Sequence, residues 1–199
     1  MNAKILIISS LIAYFLGSIP WGYLLVKIFV KKDVREIGSG NIGATNVTRT
    51  GNKFLGILTL ILDALKGFFA VYIAFILSNG DYRITILGGI FAILGHCYTI
   101  FLKFKGGKGV ATSAGVFLAI KPICVLFSFF LFIVVVAIKR YVSLGSILGA
   151  LSFPLFLFLM GEKDIFLILG SLIVAIIIVI RHRENIQRLL KGKENKLKF

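Results

Sequence analysis

The chain has 199 residues, of which 58% are hydrophobic and 16% are charged, and its mean hydropathy is +0.99. Soluble globular domains are about 45–50% apolar, so this composition excludes an ordinary soluble domain and predicts an integral membrane protein. The net charge of +15 would favour nucleic-acid binding in a soluble protein. In a membrane protein it is typical of basic cytoplasmic loops and of attraction to anionic lipid. We therefore expect membrane lipids as partners, and no nucleic acid.

Seven apolar runs are candidates for membrane helices, each of which needs about 20 residues. In chain order they cover residues 5–30, 54–77, 84–102, 110–120, 123–138, 142–160 and 165–180. The fourth run is short, so it is either a half-span or a re-entrant segment. It ends at Lys121, because the residue before a proline disfavours helix. The sequence thus predicts an all-α membrane protein of about seven transmembrane helices, in one domain covering residues 1–199.

Lysine and arginine concentrate in alternate loops and in the C-terminal segment. With seven spans, one side of the membrane carries only Lys4, Arg83, Lys121 and Lys163, and the other side carries most of the remaining positive charge. The positive-inside rule then places the N-terminus outside and the C-terminus in the cytoplasm. The first run has no small-residue cleavage pattern after it and is expected to be retained as a span. Residues 183–199 are expected to form a basic tail at the membrane interface.

The stretch Gly38–Asn46, GSGNIGATN, lies in a predicted cytoplasmic loop. Its glycines match GxGxxG, but a dinucleotide site requires a βαβ unit, and membrane spans flank this loop. Glycine-rich backbone can still form a concave anion-binding nest. Ser39, Thr45 and Asn46 add neutral donors, and Arg49 adds a planar fork suited to phosphate. A phosphate-binding loop and an ordinary flexible loop are both compatible with these residue types.

A second loop of similar chemistry precedes the fourth apolar run and reads FKGGKGVAT from Phe104 to Thr112. It is not a Walker sequence, because Lys108 is followed by glycine. Its glycines, Gly106, Gly107 and Gly109, alternate with Lys105 and Lys108, which suits backbone and ammonium contacts with a phosphate. Ordinary positive-inside charge is the alternative. Two such loops on one membrane face favour phosphate binding.

Asp63, Lys66 and His96 are ionisable residues that lie inside predicted spans. Asp63 and Lys66 are three residues apart in the second run, and an ion pair that fixes helix packing is the leading interpretation, with a proton or ion pathway as the alternative. His96 precedes the cytoplasmic end of the third run. It is either a functional group or a packing histidine with a satisfied hydrogen bond.

The last cytoplasmic segments add four polar residues. His182 and Asn185 are three apart and are expected to share a helix face. Ser143 and Ser146 either cap the sixth span or donate to phosphate. The cytoplasmic loops lack an acidic cluster, and no serine or cysteine in them is paired with a histidine at short spacing, so we expect neither a metal site nor an acyl-enzyme.

Four sequence blocks, taken together, resemble the bacterial acyl-phosphate:glycerol-3-phosphate acyltransferase family. They are GSGNIGATNVTRTG, GHCYTIFLKFKGGKGVAT, RYVSLGSI and RHRENIQRLLKGKE. The resemblance extends over nearly the whole chain. It implies a seven-span enzyme of the bacterial cytoplasmic membrane, with its active site facing the cytoplasm. It also implies acyl transfer from acyl phosphate to the 1-hydroxyl of glycerol 3-phosphate, giving lysophosphatidic acid and phosphate. We expect a monomer without a cofactor.

The resemblance also implies a set of site residues. The positions that match the family's catalytic and phosphate contacts are Ser39, Arg49, Lys108, Ser146, His182 and Asn185. Neighbouring positions are expected to bind substrate, namely Thr45, Asn46, Lys105, Gly106, Gly107, Gly109 and Ser143. A transporter for organophosphates is the competing class, and it should show polar groups on several spans and often repeats. A lipid-binding scaffold would leave the two glycine–lysine loops unexplained.

Overall fold

The computed structural model describes residues 2–197, and within that range the regular structure is entirely helical. The α-helices are α1 (Ala3–Ser18), α2 (Trp21–Leu25), α3 (Ala44–Val47), α4 (Lys53–Leu77), α5 (Tyr82–Cys97), α6 (Val110–Ile120), α7 (Pro122–Lys139), α8 (Val142–Leu159), α9 (Ile165–Arg181) and α10 (Arg183–Leu190). A π-helical turn (Val26–Val30) continues α2, and 3₁₀ turns occupy Val34–Glu36, Thr48–Thr50 and Ile100–Leu102.

Five helical segments are long and apolar enough to cross a membrane. They are Ala3–Val30, Lys53–Leu77, Tyr82–Leu102, Pro122–Lys139 and Val142–Leu159. The pair α9 and α10 is a sixth candidate, although its two helices bend by 59°. The short fourth run is a helix of 11 residues, as its length suggested. These segments agree with the predicted integral membrane fold. The total of seven membrane spans stays a prediction.

Large apolar side chains cover the outside of these helices. Phe54, Ile138 and Phe158 are each at least 70% exposed. In water, such extensive apolar exposure would promote aggregation, whereas in a bilayer these side chains face lipid. The exposed apolar surface is therefore what a membrane-embedded helical protein requires.

The chain divides into two compact units, Met1–Ala119 and Ile120–Phe199. In the first unit α1 packs against α4 and α5, which also pack against each other. Small residues make this close approach possible: Ala13, Ala70 and Ala92 form a buried cluster. Small residues at helix contacts are typical of membrane proteins, since association there depends on tight van der Waals packing. Whether the two units act as one domain stays a prediction.

The first apolar run is not one continuous helix. It breaks after Ser18, because Pro20 cannot continue the hydrogen-bond ladder. The carbonyls released at the break are satisfied from other helices. Thr99 Oγ1 donates to the Ser18 carbonyl at 2.6 Å, and Lys66 Nζ donates to the Ile19 carbonyl at 2.7 Å. The two helical pieces still form one candidate membrane span, Ala3–Val30.

In the second unit, α8 packs against both α7 and α9. Pro122 occupies the first turn of α7, where its missing N–H leaves no gap, so the predicted break at Lys121 is confirmed. Inside this unit the Ser152 hydroxyl donates to the Ser128 hydroxyl at 3.3 Å. Polar groups buried in a membrane protein need such partners.

The C-terminal segment returns to the start of α8 after α10 ends. Leu197 N donates to the Arg140 carbonyl at 2.7 Å, and Glu194 Oε2 lies 2.7 Å from Arg188 Nε in α10. The sequence predicted a tail along the membrane interface, but it did not predict these tertiary contacts with the rest of the chain. Residues 198–199 lie outside the described range.

Candidate functional site

The loop Gly38–Asn46 is organised by the side chain of Asn46. Its Nδ2 donates to the carbonyls of Val34, Ile37 and Asn41 at 2.8–2.9 Å, and its Oδ1 accepts from Ser39 N at 2.9 Å. Asn46 is 2% exposed. The nitrogen and the oxygen of the Asn46 side-chain amide both form hydrogen bonds with the loop backbone. The geometry therefore does not support the expectation that Asn46 contacts phosphate directly. The residue instead fixes the shape of the loop.

The exposed groups of this loop are Ser39, Thr45 and Arg49. Gly38 has φ +57°, and a Cβ there would lie 2.8 Å from Arg49 Cδ, so the arginine chain crosses the backbone at this glycine. No carboxylate within residues 2–197 pairs with Arg49.

The other arginine near this loop is already neutralised. Arg35 Nε donates to Asp33 Oδ1 at 2.9 Å, and its guanidinium lies 5.0 Å from the centroid of the Tyr23 ring. The hydrogen bond from Arg35 lowers the pKa of Asp33 to about 2, so the pair stays ionised at neutral pH. Of the two arginines, Arg49 is the one available to an anion.

The second loop differs from its expected form at Gly106 and Gly107. Gly106 N donates to the Cys97 carbonyl at 3.1 Å, and Gly107 N donates to the His96 carbonyl at 2.9 Å. These N–H groups point into the protein, so the expectation that they cradle phosphate is wrong for this conformation. The glycines are needed because the loop backbone lies directly on the end of α5.

The remaining candidate for anion binding in the second loop lies next to α6. Lys105 is exposed, Lys108 is half-buried, and Gly109 is buried immediately before α6 begins at Val110. The N–H groups of a first helical turn have no intrahelical partner, and the helix dipole favours negative charge there. The start of α6, with Lys108 beside it, is therefore the phosphate-binding candidate in this loop.

A buried polar cluster lies beneath the second loop. Lys66 Nζ is 2.8 Å from Asp63 Oδ1, and His96 Nδ1 is 3.6 Å from the same oxygen. All three residues are at most 5% exposed. The predicted intrahelical ion pair between Asp63 and Lys66 is confirmed, and His96 belongs to the same cluster.

In the second unit, three side chains surround the carboxylate of Glu194. Ser143 Oγ donates to it at 2.8 Å, Asn185 Nδ2 at 2.6 Å and Arg188 Nε at 2.7 Å. Burial raises the pKa of Glu194, but these three hydrogen bonds outweigh it, and the net pKa lies below the usual 4.5. Ser143 and Asn185, both expected at the substrate site, thus share an anionic partner from the chain itself.

The two serines of α8 do not cap their helix. Ser146 Oγ donates to the Val142 carbonyl at 2.9 Å, and Ser143 bonds to Glu194 as described. The cap position of α8 is Tyr141, which makes no side-chain cap bond. The capping alternative is therefore wrong.

His182 lies at the bend between α9 and α10, with 2% exposure. Its Nδ1 is 2.8 Å from the Ile178 carbonyl. A carbonyl only accepts, so Nδ1 carries a proton, and in the neutral ring Nε2 is the unprotonated nitrogen. His182 is the N-cap residue of α10 and Asn185 lies in the first turn of that helix, so their shared helix face stays a prediction.

Sequence reasoning did not identify Glu194 or Arg188 as part of a polar cluster. Both lie in a segment rich in lysine, where a solvated tail was the simpler interpretation. The available signal was the lone acidic residue among the lysines from Lys191 onward. Among the described residues, no group of three His, Cys, Asp or Glu side chains could hold a metal ion.

Comparisons with known proteins match nearly the whole chain. Residues 7–192 match a family described as glycerol-3-phosphate acyltransferase. A glycerol-3-phosphate acyltransferase of Geotalea daltonii is 50% identical over 198 residues, covering 100% of both chains. One from Geobacter sulfurreducens is 49% identical over 192 residues, covering 96% of this chain and 97% of that protein.

Solved structures match equally well. A crystal structure of PlsY (YgiH), an integral membrane glycerol 3-phosphate acyltransferase, in its glycerol 3-phosphate form has a TM-score of 0.92 and 43% identity. That match covers 97% of this chain and 96% of the other. The lysophosphatidic acid form gives a TM-score of 0.89, also at 43% identity, and covers 97% of this chain and 95% of the other. The chain therefore belongs to the glycerol-3-phosphate acyltransferase family.

Proposed function

We propose that this protein transfers a fatty acyl group from acyl phosphate to the 1-hydroxyl of glycerol 3-phosphate, releasing lysophosphatidic acid and inorganic phosphate. Family membership over residues 7–192 is the observation that carries the acyltransferase activity. It also favours an enzyme over the organophosphate transporter. The acyl-phosphate donor is the further step, and it rests on the four sequence blocks and on the chemistry of the loops.

In the first unit, we assign phosphate binding to Ser39, Arg49, Lys105 and Lys108, with the first turn of α6. Arg49 offers a planar fork for phosphate oxygens, and Lys108 offers a compact charge beside a helix N-terminus. Thr45 is exposed on the same loop as Ser39, and we assign its hydroxyl as a neighbouring hydrogen-bond donor. Gly109 lets the chain enter α6 at φ +86°.

In the second unit, we assign substrate hydrogen bonds to His182, Asn185 and Ser146. Asn185 and Ser143 both donate hydrogen bonds to the Glu194 carboxylate, which therefore orients the two side chains. Ser143 thereby acts as a positioning residue. His182 presents Nε2 as an acceptor when its Nδ1 donates to Ile178.

Acyl phosphate suits a site built from cations and amides. It is a mixed anhydride with a good leaving group, so positioning and charge stabilisation are sufficient for a large rate gain. The glycerol hydroxyl attacks the acyl carbonyl, and the carbon–oxygen bond to phosphate breaks. Lys108 and the α6 N–H groups stabilise the charge on the developing oxyanion and on the departing phosphate. The hydroxyl proton passes either to His182 Nε2 or to the phosphate itself.

We place the enzyme in the bacterial cytoplasmic membrane as a monomer, with its N-terminus outside and its basic loops in the cytoplasm. The charge asymmetry of the loops supports this orientation. The substrates are consistent with it, because glycerol 3-phosphate is water-soluble whereas the acyl donor carries a lipid tail.

The test is a reconstituted assay. Purified protein in phospholipid vesicles receives palmitoyl phosphate and labelled glycerol 3-phosphate, and lysophosphatidate and phosphate are measured. Equal amounts of the two products are expected, with none when palmitoyl-CoA replaces palmitoyl phosphate. Product from acyl-CoA alone would disprove the donor assignment. Uptake of label into vesicles without product would instead indicate a transporter.

A further inference from the structure

The buried cluster of Asp63, Lys66 and His96 lies outside the substrate contacts assigned above, yet it touches the second loop. Each of the three side chains is at least 95% buried, within helices of the membrane-embedded region. Ionisable groups buried inside a membrane are energetically costly, so such residues are candidates for a functional role. The contacts of these three side chains indicate what that role is.

The contacts form a continuous chain through the first unit. Lys66 Nζ bonds to the Ile19 carbonyl at 2.7 Å and to Asp63 Oδ1 at 2.8 Å. Asp63 Oδ1 is 3.6 Å from His96 Nδ1. The carboxylate of the ion pair thus lies beside one edge of the imidazole.

The other edge of the imidazole supports the second loop. A Cβ added at Gly107 would overlap His96 Nε2, so the Gly107 backbone lies directly on the ring. The backbone of His96 also holds the loop, since its carbonyl accepts from Gly107 N at 2.9 Å. Lys108 follows immediately, so the position of the ring determines where the lysine and the start of α6 lie.

We propose that Asp63, Lys66 and His96 are positioning residues for the phosphate-binding part of the second loop, with the ion pair fixing His96 and His96 fixing Gly107. The role is indirect, because none of the three needs to touch substrate. The proposal rests on the proposed function of Lys108 and the α6 N-terminus.

The test is a double-mutant cycle between His96→Ala and Gly107→Ala. The first substitution leaves a void beneath the loop, and the second forces a methyl group against a ring that cannot move. Each is expected to raise the KM for glycerol 3-phosphate about 10-fold, with a smaller change in kcat. In the double variant the methyl group enters the space left by the ring, so the KM rises about 10-fold in total. Residues that act independently would give about 100-fold, which would overturn the proposal.

A second arm measures the loop without relying on activity. Replacing the ion pair by uncharged residues, Asp63→Leu with Lys66→Gln, leaves no unpaired buried charge and keeps an amide that can donate to the Ile19 carbonyl, so the fold is expected to survive. Hydrogen–deuterium exchange should accelerate across residues 103–110 and stay unchanged in α7 and α8. Unchanged exchange at 103–110 in this variant and in His96→Ala would refute the positioning role. If His96→Ala does not accumulate, His96→Asn replaces it, because it removes the far end of the ring but keeps a donor towards Asp63.

Ser152→Ala is the matched control, because it removes a buried polar contact of the second unit that has no link to the loop. Its KM is expected to stay within about twofold of the parent. A 10-fold increase in this control would mean that any buried polar substitution disturbs substrate binding. Activity of the unmodified protein is measured first. Its absence would reject the proposed function, whereas an active parent with additive variants would reject only the positioning role.

Discussion

Lys108 is the residue whose side chain combines a charge, partial burial and a position beside a helix N-terminus. We expect Lys108→Ala to lower kcat/KM about 100-fold to 1,000-fold, since a preorganised donor to developing negative charge contributes that much in other enzymes. The measurement is the reconstituted acyl-transfer assay. Lys103→Asn is the control, because it removes an exposed charge of the same loop at a φ of 53° that asparagine tolerates. Near-normal turnover of Lys108→Ala with intact folding would contradict the assignment.

The negative charge of Glu194 is expected to stabilise the folded protein. Its folded pKa is depressed, so its stabilising contribution is complete above the unfolded value near 4.5 and is lost as pH falls through the folded pKa. We expect Glu194→Gln to weaken the fold at pH 7 by about 2 kcal/mol, because it loses charge-assisted hydrogen bonds. Thermal unfolding in detergent at several pH values measures this. The difference from the parent should shrink below about pH 4.

The control for Glu194 is Glu184→Gln, which removes an exposed carboxylate whose nearest cation, Arg188, is 3.9 Å away. Exposed pairs of this kind contribute little. If both variants melt at the parent's temperature at every pH, the Glu194 contacts do not stabilise the protein.

At the scale of elements, the docking of α6 on α4 decides where the second loop ends. A Cβ at Gly115 would overlap the carbonyl oxygen of Ala64, and one at Gly67 would overlap that of Thr112. We therefore expect Gly115→Ala to destabilise the first unit by about 1–3 kcal/mol through overpacking, and to lower activity by shifting the α6 N-terminus. Melting temperature and KM measure the two effects.

Gly149→Ala in α8 is the comparison for that substitution, since the nearest atom to its added Cβ is 3.3 Å away. We expect a loss of stability clearly smaller than that of Gly115→Ala. Equal losses would mean that the α4–α6 contact does not account for the effect, because replacing a helical glycine by alanine by itself favours the helix.

The helices were largely predictable because a membrane requires long apolar runs and places charges at their ends. The predicted run 142–160 became Val142–Leu159, and the predicted run 165–180 became Ile165–Arg181. The direction of individual polar groups was not predictable. Gly106 N–H turns inward because it meets the end of α5, and Asn46 serves its own loop. Ser143 meets Glu194 51 residues away. Such pairings depend on tertiary contacts that no local pattern contains.

For the whole molecule, the charge asymmetry predicts a single orientation. We expect a cysteine at Lys163 to react with a membrane-impermeant maleimide in intact cells, and a cysteine at Lys53 to react only after permeabilisation. The native thiols Cys97 and Cys124 are at most 2% exposed, so they should give little background. The reverse labelling pattern would show that the protein has the opposite orientation in the membrane. Equal labelling of both positions in intact cells would contradict a single orientation.

The break in the first span has a consequence for the order in which the membrane protein assembles. The carbonyls of Ser18 and Ile19 obtain their donors from Thr99 and Lys66, which are synthesised later. Until those residues arrive, two backbone acceptors at membrane depth lack their final partners, a costly state in hydrocarbon. The first helix can therefore reach its final bent form only together with α4 and the end of α5. Before those contacts form, the two carbonyls require other hydrogen-bond donors, such as water or lipid headgroups.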